Sequence, residues 1–154
     1  MKKFLLLISF IAFLNANDSS KKVVFDLTTG DVKVFEKKVL SGIANFKSHY
    51  ESNFQELEVA VVIHGGAYKF FINDPTISPF KDDKILLKEH KQLKSRLSSL
   101  AEMYDVEFLM CNNRRKSLGM KKENLYTFVK LVPNATVGLI DKQNEGYAYV
   151  PIAK

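Results

Sequence analysis

The chain has 154 residues, 46% of them hydrophobic and only seven of them glycine, so it can bury the core of one domain and is too apolar to be disordered. Its formal net charge is +6, spread along the chain and not gathered into one basic stretch. A scattered charge of this size favours solubility and argues against a nucleic-acid-binding face, which needs clustered basic residues.

The first residues have the pattern of a secretory signal. Lys2 and Lys3 precede an apolar run, Phe4 to Leu14, that is too short to span a bilayer comfortably, and the small Ala16 suits a cleavage site. Cleavage would remove two lysines and lower the net charge from +6 to about +4 (6 − 2). An uncleaved anchor is the alternative. We expect a periplasmic product without stable membrane insertion, from a chain divided into a signal peptide (1–16), a polar lead-in (17–22) and a single domain (23–154).

The first part of the domain is predicted to form strand, helix and strand. Val23–Leu27 is rich in β-branched and aromatic residues, which favours a strand. From Val32 to about Asn53 the apolar residues recur with the period of a helix. Leu57–Ile63 is apolar with little alternation, as expected for a strand covered on both faces.

The segment from Ala67 to Lys81 is predicted to be a loop. Pro75 and Pro79 argue against one continuous helix through it. A loop this apolar must pack on its own domain, on a ligand or on another subunit, because it holds four aromatic residues: Tyr68, Phe70, Phe71 and Phe80.

A strand that ends in cysteine follows the second long helix. Asp82 or Asp83 is expected to cap that helix, which reaches about Tyr104. Val106–Met110 is a short apolar run typical of a buried strand, and it leads directly to Cys111.

Two short helices and a brief strand are predicted next. The helices are Asn112–Leu118, which stops at Gly119, and Glu123–Val129. The strand is Leu131–Val132, halted by Pro133.

Residues 134–151 fit two local patterns. Either a helix covers Ala135–Glu145 and a strand covers Tyr147–Val150, or Val137–Ile140 pairs with Tyr147–Val150 as a hairpin. We favour the helix because it continues the alternation of strand and helix. That alternation predicts a three-layer α/β domain with a mostly parallel sheet of about five strands. The loops that carry chemistry would then cluster at the carboxyl ends of the strands.

Cys111 is the candidate catalytic residue. It is the only cysteine, so it cannot form a disulfide within the chain. A thiol that faces the start of a helix is favoured as thiolate by the helix dipole and by free backbone N–H groups, and Arg114 and Arg115 add positive charge nearby. The alternative is that Cys111 packs as a small, inert hydrophobe. Position alone leaves both open.

His64 ends the second strand, so its loop should open at the same edge of the sheet as the Cys111 loop. It is a candidate proton carrier for the thiol, although a turn histidine bonded to backbone is the commoner case. His49 and His90 lie beside the apolar stripes of the two long helices and are expected to be structural. Gly65 and Gly66 are explained most simply by a tight turn.

Several other site types lack their motifs in this sequence. No CxxC or HExxH spacing supports a metal site, Gly65-Gly66 is neither a P-loop nor GxGxxG, and no GxSxG elbow supports a hydrolase triad. The run Arg114-Arg115-Lys116 lacks interleaved aromatics and is expected to be a solvated face. We therefore predict no metal and no other cofactor.

The chain resembles the DsrE/DsrF-like family, and within it the small exported members. Four stretches carry the resemblance, within about Val23 to Ile152: Val59–Ala67, Val106–Asn113, Asn124–Pro133, and Gly138–Pro151 with Gln143, Gly146, Tyr147 and Tyr149. The resemblance implies a YchN-like α/β fold and a homo-oligomer, often a trimer or hexamer. In sulfur-relay members a cysteine after a central strand carries sulfur as a persulfide, and Cys111 matches it in place.

Two functions of different classes are consistent with these residues. The first is a persulfide carrier that uses Cys111 and exchanges sulfur with a donor or acceptor protein or a small sulfur species. The second is a non-catalytic, homo-oligomeric protein that binds a small ligand in a groove lined by His64, Tyr68 and the aromatic loop, with Cys111 only packed. The candidate binding residues are His64, Gly65, Tyr68, Asn112 and Arg114.

Overall fold

A computed structural model describes residues 20–153, so the predicted signal peptide lies outside the described residues, as do the first three residues of the lead-in. One sheet of five strands has the order β4-β3-β2-β1-β5, and every neighbouring pair is parallel. This confirms the predicted α/β class. The strands are β1 (Lys21–Leu27), β2 (Leu57–Ile63), β3 (Val106–Cys111), β4 (Val129–Val132) and β5 (Ala148–Ile152).

Helices connect the strands. The first helical region runs without interruption through α1 (Val32–Phe35), a π-helical segment (Glu36–Ser41) and α2 (Gly42–Ser52). The others are α3 (Lys84–Glu102), α4 (Asn112–Ser117) and α5 (Ala135–Asn144), with 3₁₀ turns at Ala67–Phe71, Pro75–Ile77 and Lys122–Asn124. None of the helices within residues 20–153 is both long enough and apolar enough to cross a bilayer.

Apolar side chains on both faces of the sheet give the domain its three layers. On one face, residues such as Val61 and Phe108 pack with Phe35 of α1 and Leu93 of α3. The other face is smaller and packs beneath α5, with Val24, Ala60, Val62 and Leu109 as its buried members. β2 contributes to both clusters, which explains its continuous apolar sequence.

The aromatic loop packs on its own domain. Tyr68, Phe70 and Phe71 are almost completely buried. The ring of Phe70 stacks on that of Phe35 with centroids 4.1 Å apart, and Phe71 meets Phe35 edge-on at 6.0 Å. The sequence left three packing partners open for this loop: its own domain, a ligand or another subunit. These contacts show that its aromatic side chains pack on their own domain.

The predicted helix over Glu123–Val129 is wrong. Only the 3₁₀ turn Lys122–Asn124 is helical there, and β4 already begins at Val129. Long-range hydrogen bonds hold the segment extended: the Asp74 N–H donates to Asn124 Oδ1 at 2.8 Å, and Asn124 Nδ2 donates to the Asp74 carbonyl at 2.8 Å. Tertiary bonding therefore overrides the local helical pattern.

Residues 135–144 form the favoured helix and not the hairpin. The Asn134 side chain caps it by accepting a hydrogen bond of 2.9 Å from the Val137 N–H. Gly138 lets the helix lie close to the sheet, since a Cβ there would stand 3.2 Å from Val132. β5 then adds to the β1 edge and includes Pro151, which an edge strand tolerates.

Candidate functional site

The candidate site lies at the carboxyl edge of the sheet, where β2 and β3 end side by side. Ile63 pairs with Met110 in the parallel register, so the next residues, His64 and Cys111, follow on neighbouring strands about 4.8 Å apart. The sequence therefore placed both residues at the correct edge. No hydrogen bond joins the two side chains among the described residues; the imidazole is bonded on its other side, to β1.

The Cys111 thiol is both buried and polarised. The residue is 6% exposed and stands at the N-cap of α4. Burial, the largest single influence, raises the pKa of the thiol. The N–H groups of Arg114, Ala135 and Asn113, together with the Tyr68 hydroxyl, outweigh burial and hold that pKa below its ordinary value.

Two helix starts converge on this sulfur. Arg114 and Asn113 belong to the first turn of α4, whereas Ala135 is the first residue of α5 on the opposite side of the sheet edge. Backbone N–H groups at helix starts can interact with an anion because they lack partners within their helix. The Asn113 N–H is shared, since it also donates to the Pro133 carbonyl at 3.2 Å, so Arg114 and Ala135 contribute more to the thiolate. The thiolate form of Cys111 is thus favoured by main-chain geometry more than by side-chain charge.

Tyr68 supports the site from within the core. Its hydroxyl donates to the Cys111 carbonyl oxygen at 3.1 Å, and its side chain is fully buried. Burial, followed by the interaction with Cys111, raises the pKa of the tyrosine well above its usual range, so the hydroxyl keeps its proton and remains a donor. A fully buried ring cannot line an open groove, so the structure gives Tyr68 a different part from the one predicted.

The two arginines of α4 differ from each other: Arg115 is buried and hydrogen-bonded within the protein, whereas Arg114 is exposed. Asn112 Oδ1 accepts a hydrogen bond of 2.9 Å from Arg115 Nε, and Arg115, only 8% exposed, also donates to the Met120 carbonyl. The expected solvated face is therefore wrong for Arg115, which fixes the turn after α4. Arg114 does reach solvent and bonds Ser117 Oγ at 3.3 Å.

A second polar group at this edge was missed by the sequence analysis. His64 Nε2 bonds to Asp26 Oδ1, and the Tyr149 hydroxyl donates to Asp26 Oδ2 at 2.7 Å. The usable signal was Asp26 itself, the one carboxylate in the otherwise apolar strand segment Val23–Leu27. The partner residues could not be paired from the sequence because β5 joins β1 only through a long-range crossover.

Gly65 and Gly66 bring the loop after β2 into backbone contact with the loop after β1. The Gly66 N–H donates to the Thr28 carbonyl at 2.8 Å, and the His64 N–H donates to the Leu27 carbonyl at 3.0 Å. Gly65 has φ +62°, and a Cβ there would stand 2.7 Å from the Thr28 carbonyl oxygen. The tight turn expected for Gly65 is found, and it sets the position of His64.

The other two histidines lie away from this edge. His90 Nε2 bonds the Ile72 carbonyl at 2.8 Å, and His49 is exposed on α2. Within residues 20–153, no three His, Cys, Asp or Glu side chains are placed to hold a metal ion together.

We predict that alkylation of Cys111 has a pH midpoint below about 8.5, the ordinary thiol value, and that Tyr68→Phe slows it. Loss of the hydroxyl removes one of the groups that stabilise the thiolate, so the pKa of Cys111 rises and the thiolate fraction at pH 7 falls. The net worth of a typical protein hydrogen bond, about 1 kcal/mol, corresponds to roughly a fivefold slower reaction. The measurement is the iodoacetamide rate between pH 6 and 10, followed by intact mass.

Tyr126→Phe is the matched control for Tyr68→Phe. Tyr126 is also buried, but its hydroxyl meets His90 Nε2 at 3.2 Å, in a different part of the domain. Its variant should alkylate at the wild-type rate. Equal rates for all three proteins would contradict the assigned role of Tyr68, and a wild-type rate that rises only above pH 9 would contradict the polarised thiol.

Three comparisons place this geometry among known proteins. The model of the DsrE/DsrF-like family matches residues 22–152. An uncharacterized protein of Aquifex aeolicus (strain VF5) is 30% identical over 151 residues, which cover 98% of this chain and 64% of that protein's length. The solved structure of a protein of unknown function from Methanobacterium thermoautotrophicum aligns with a TM-score of 0.58 at 22% identity. That alignment covers 86% of this chain and 99% of the other, and its likeness concerns the fold.

Proposed function

Since the chain belongs to the DsrE/DsrF-like family, we propose that it is a sulfur carrier that holds a sulfane sulfur on Cys111 as a persulfide. The observation that supports this most is the thiol's surroundings, where backbone N–H groups from the first turns of α4 and α5, with the Tyr68 hydroxyl close by, favour the thiolate despite burial. The thiolate is the form that attacks sulfur, and it is also the better leaving group when sulfur is handed on.

The proposed loading step is an exchange at sulfur. The Cys111 thiolate attacks a sulfane sulfur of a polysulfide dianion, one S–S bond breaks, and the shortened polysulfide leaves as a dianion. Unloading reverses the roles: an acceptor thiolate attacks the outer sulfur, the S–S bond to Cys111 breaks, and Cys111 leaves as thiolate. Charge and sulfur atoms balance in both steps, and neither needs an added oxidant or reductant.

The groups around the thiol suit an anionic sulfur species. The first turn of α4, at Arg114, and the first residue of α5, Ala135, present backbone N–H groups to negative charge, and the Arg114 side chain adds a solvated cation at the rim. Asn112 acts through Arg115, which it orients. The donor and the acceptor would be a partner protein or a small sulfur compound.

The experiment that tests this function is the intact mass of the reduced protein after exposure to inorganic polysulfide. A carrier gains one or more sulfur atoms that dithiothreitol removes. Protein that gains none at pH 8, where alkylation shows the thiol to be reactive, would contradict the proposal.

A second function is favoured by the low exposure of Cys111. At 6% exposure the residue could simply pack, and the protein would then be a non-catalytic oligomer that binds a small ligand near His64 and Gly65. This alternative requires that Cys111→Ser bind thiosulfate, measured by calorimetry, as well as the wild type does. The carrier function requires the serine variant to lose sulfur uptake.

We further propose that the mature protein is periplasmic and homo-oligomeric. The amino-terminal sequence pattern supports export, and exposed apolar side chains beside the edge strand support assembly: Phe46, Tyr149 and Val150 are 47%, 45% and 38% exposed. Protein recovered from the periplasm should begin at Asn17 and scatter light as a trimer or hexamer. An intact Met1 would contradict cleavage, and a monomer mass would contradict assembly.

A further inference from the structure

A chain of hydrogen bonds crosses three neighbouring strands at the site edge and ends at His64. Tyr149 on β5 donates to Asp26 Oδ2 on β1 at 2.7 Å, and Asp26 Oδ1 bonds to Nε2 of His64, which follows β2. The Asp26 side chain is only 14% exposed, so this carboxylate is largely shielded from water and its two oxygens are both engaged. Such a carboxylate holds its partners in fixed orientation.

The bond to Asp26 also fixes which nitrogen of His64 can accept a proton. A carboxylate accepts hydrogen bonds, so Nε2 must carry the hydrogen and Nδ1 is left with its lone pair when the ring is neutral. Nδ1 has no hydrogen-bond partner among residues 20–153. The His64 side chain is 30% exposed whereas Cys111 is 6% exposed, so the imidazole can exchange a proton with solvent while the thiol is shielded. The two residues follow Ile63 and Met110, which are paired across β2 and β3, so they stand side by side at the sheet edge.

We propose that Asp26 and Tyr149 are positioning residues that hold His64 as the proton acceptor for the Cys111 thiol. The proton on sulfur moves to His64 Nδ1, which leaves a thiolate on Cys111 and an imidazolium whose charge faces the Asp26 carboxylate. The same proton returns to the thiolate when Cys111 is released. The biological meaning of this step rests on the proposed sulfur-carrier function, but the step itself concerns any reaction of the thiol.

The substitution Asp26→Asn distinguishes a role in orienting the His64 ring from a purely structural role of Asp26. Asp26→Asn keeps the size of the side chain, but an amide nitrogen turned toward Nε2 donates to it and stabilises the tautomer with the hydrogen on Nδ1. The lone pair then faces the introduced amide and not the thiol. A wrong tautomer of this kind strongly lowers catalysis where a histidine base depends on a carboxylate.

The experiment measures two quantities in the same proteins, the tautomer of His64 and the alkylation rate of Cys111. Nitrogen-15 spectra of histidine-labelled protein, assigned with His64→Gln, should show hydrogen on Nε2 in the wild type and on Nδ1, in whole or in part, in Asp26→Asn. The iodoacetamide rate of Cys111 at pH 7 should fall roughly tenfold or more in Asp26→Asn and in His64→Gln, with no further loss in the double variant. Tyr149→Phe, on the exposed edge strand, should cause a smaller fall of about two- to threefold.

Glu58→Gln and Tyr147→Phe are the matched controls. The Tyr147 hydroxyl donates to Glu58 Oε2 at 2.9 Å, so this pair repeats the tyrosine–carboxylate bond near the amino ends of the strands, without a histidine. Both controls should keep the wild-type rate and tautomer. A wild-type His64 with hydrogen on Nδ1, or an unchanged alkylation rate in folded Asp26→Asn and His64→Gln, would overturn the proposal.

These readouts need no sulfur donor, so they fail independently of the proposed function. Protein that shows the expected tautomer and rates but takes up no sulfur would contradict the carrier function alone. Protein that takes up sulfur equally well with and without Asp26 would contradict the positioning role alone. If Asp26→Asn unfolds, Tyr149→Phe still tests the proposal. An alkylation rate of Cys111 equal to that in Tyr147→Phe would contradict the positioning role of Tyr149 and Asp26.

Discussion

Cys111→Ser is expected to abolish covalent sulfur uptake while leaving the fold intact. Cys111 is the only cysteine among 154 residues, so no other side chain can form a persulfide in its place. Serine is similar in size, and its hydroxyl can use the same backbone N–H groups that approach the sulfur. The measurement is intact mass after polysulfide treatment, with circular dichroism and the thermal midpoint recorded beside it.

Two results would count against this expectation. A serine variant that gains the same reductant-sensitive mass would mean that the sulfur is held without a covalent bond to Cys111. A variant that fails to fold would leave the chemistry open, and Cys111→Ala then serves as the second substitution because it removes the thiol without adding a polar group. Wild-type uptake blocked by prior alkylation gives the same answer without any mutation.

The sequence predicted the fold well where one local pattern was strong. β2 was predicted over Leu57–Ile63 and has those bounds, because a strand buried on both faces leaves an apolar run that no surface helix shares. α5 could be favoured over the hairpin only because it continues the alternation of strand and helix, and the structure caps it with Asn134 and places Gly146 just after it at φ +90°. The helix over Glu123–Val129 failed because Asn124 makes long-range hydrogen bonds to the loop at Asp74, which no local pattern reveals.

The candidate site was predictable only in part, for the same reason. Position along the chain placed Cys111 and His64 at one sheet edge, since parallel strands end together. It could not show that the N–H of Ala135, 24 positions after Cys111 (135 − 111), would approach the sulfur. Nor could it show that Asp26 and Tyr149 meet, because that contact depends on the strand order β2-β1-β5.

The contact between the Gly65–Gly66 turn and the loop at Thr28 connects the fold to the site. Thr28 follows β1 and Gly65 follows His64, and their backbones touch at the edge where the reactive groups stand. This contact holds together the ends of β1 and β2, which is where His64 bonds Asp26. Stability and geometry of the site therefore depend on the same few backbone atoms.

Gly65→Ala is accordingly expected to destabilise the domain by about 3 kcal/mol. A left-handed conformation, here φ +62°, costs a non-glycine residue about 1 kcal/mol, and the new Cβ would stand 2.7 Å from the Thr28 carbonyl oxygen. That oxygen cannot move aside easily, because it accepts the Gly66 N–H at 2.8 Å. Forced overpacking of this kind adds about 1–3 kcal/mol. Urea unfolding at pH 7 measures the change.

Gly119→Ala separates the two contributions to that loss. Gly119 has φ +70°, close to that of Gly65, but nothing lies within 4 Å of a Cβ built there. It should therefore lose only the conformational part, about 1 kcal/mol. Equal losses in the two variants would mean that the Thr28 loop yields to the added methyl group, and the turn would then not be what holds His64 in place. A larger loss of unfolding free energy for Gly65→Ala, accompanied by slower alkylation of Cys111, would show that the contact between Gly65 and Thr28 affects the reactivity of the thiol.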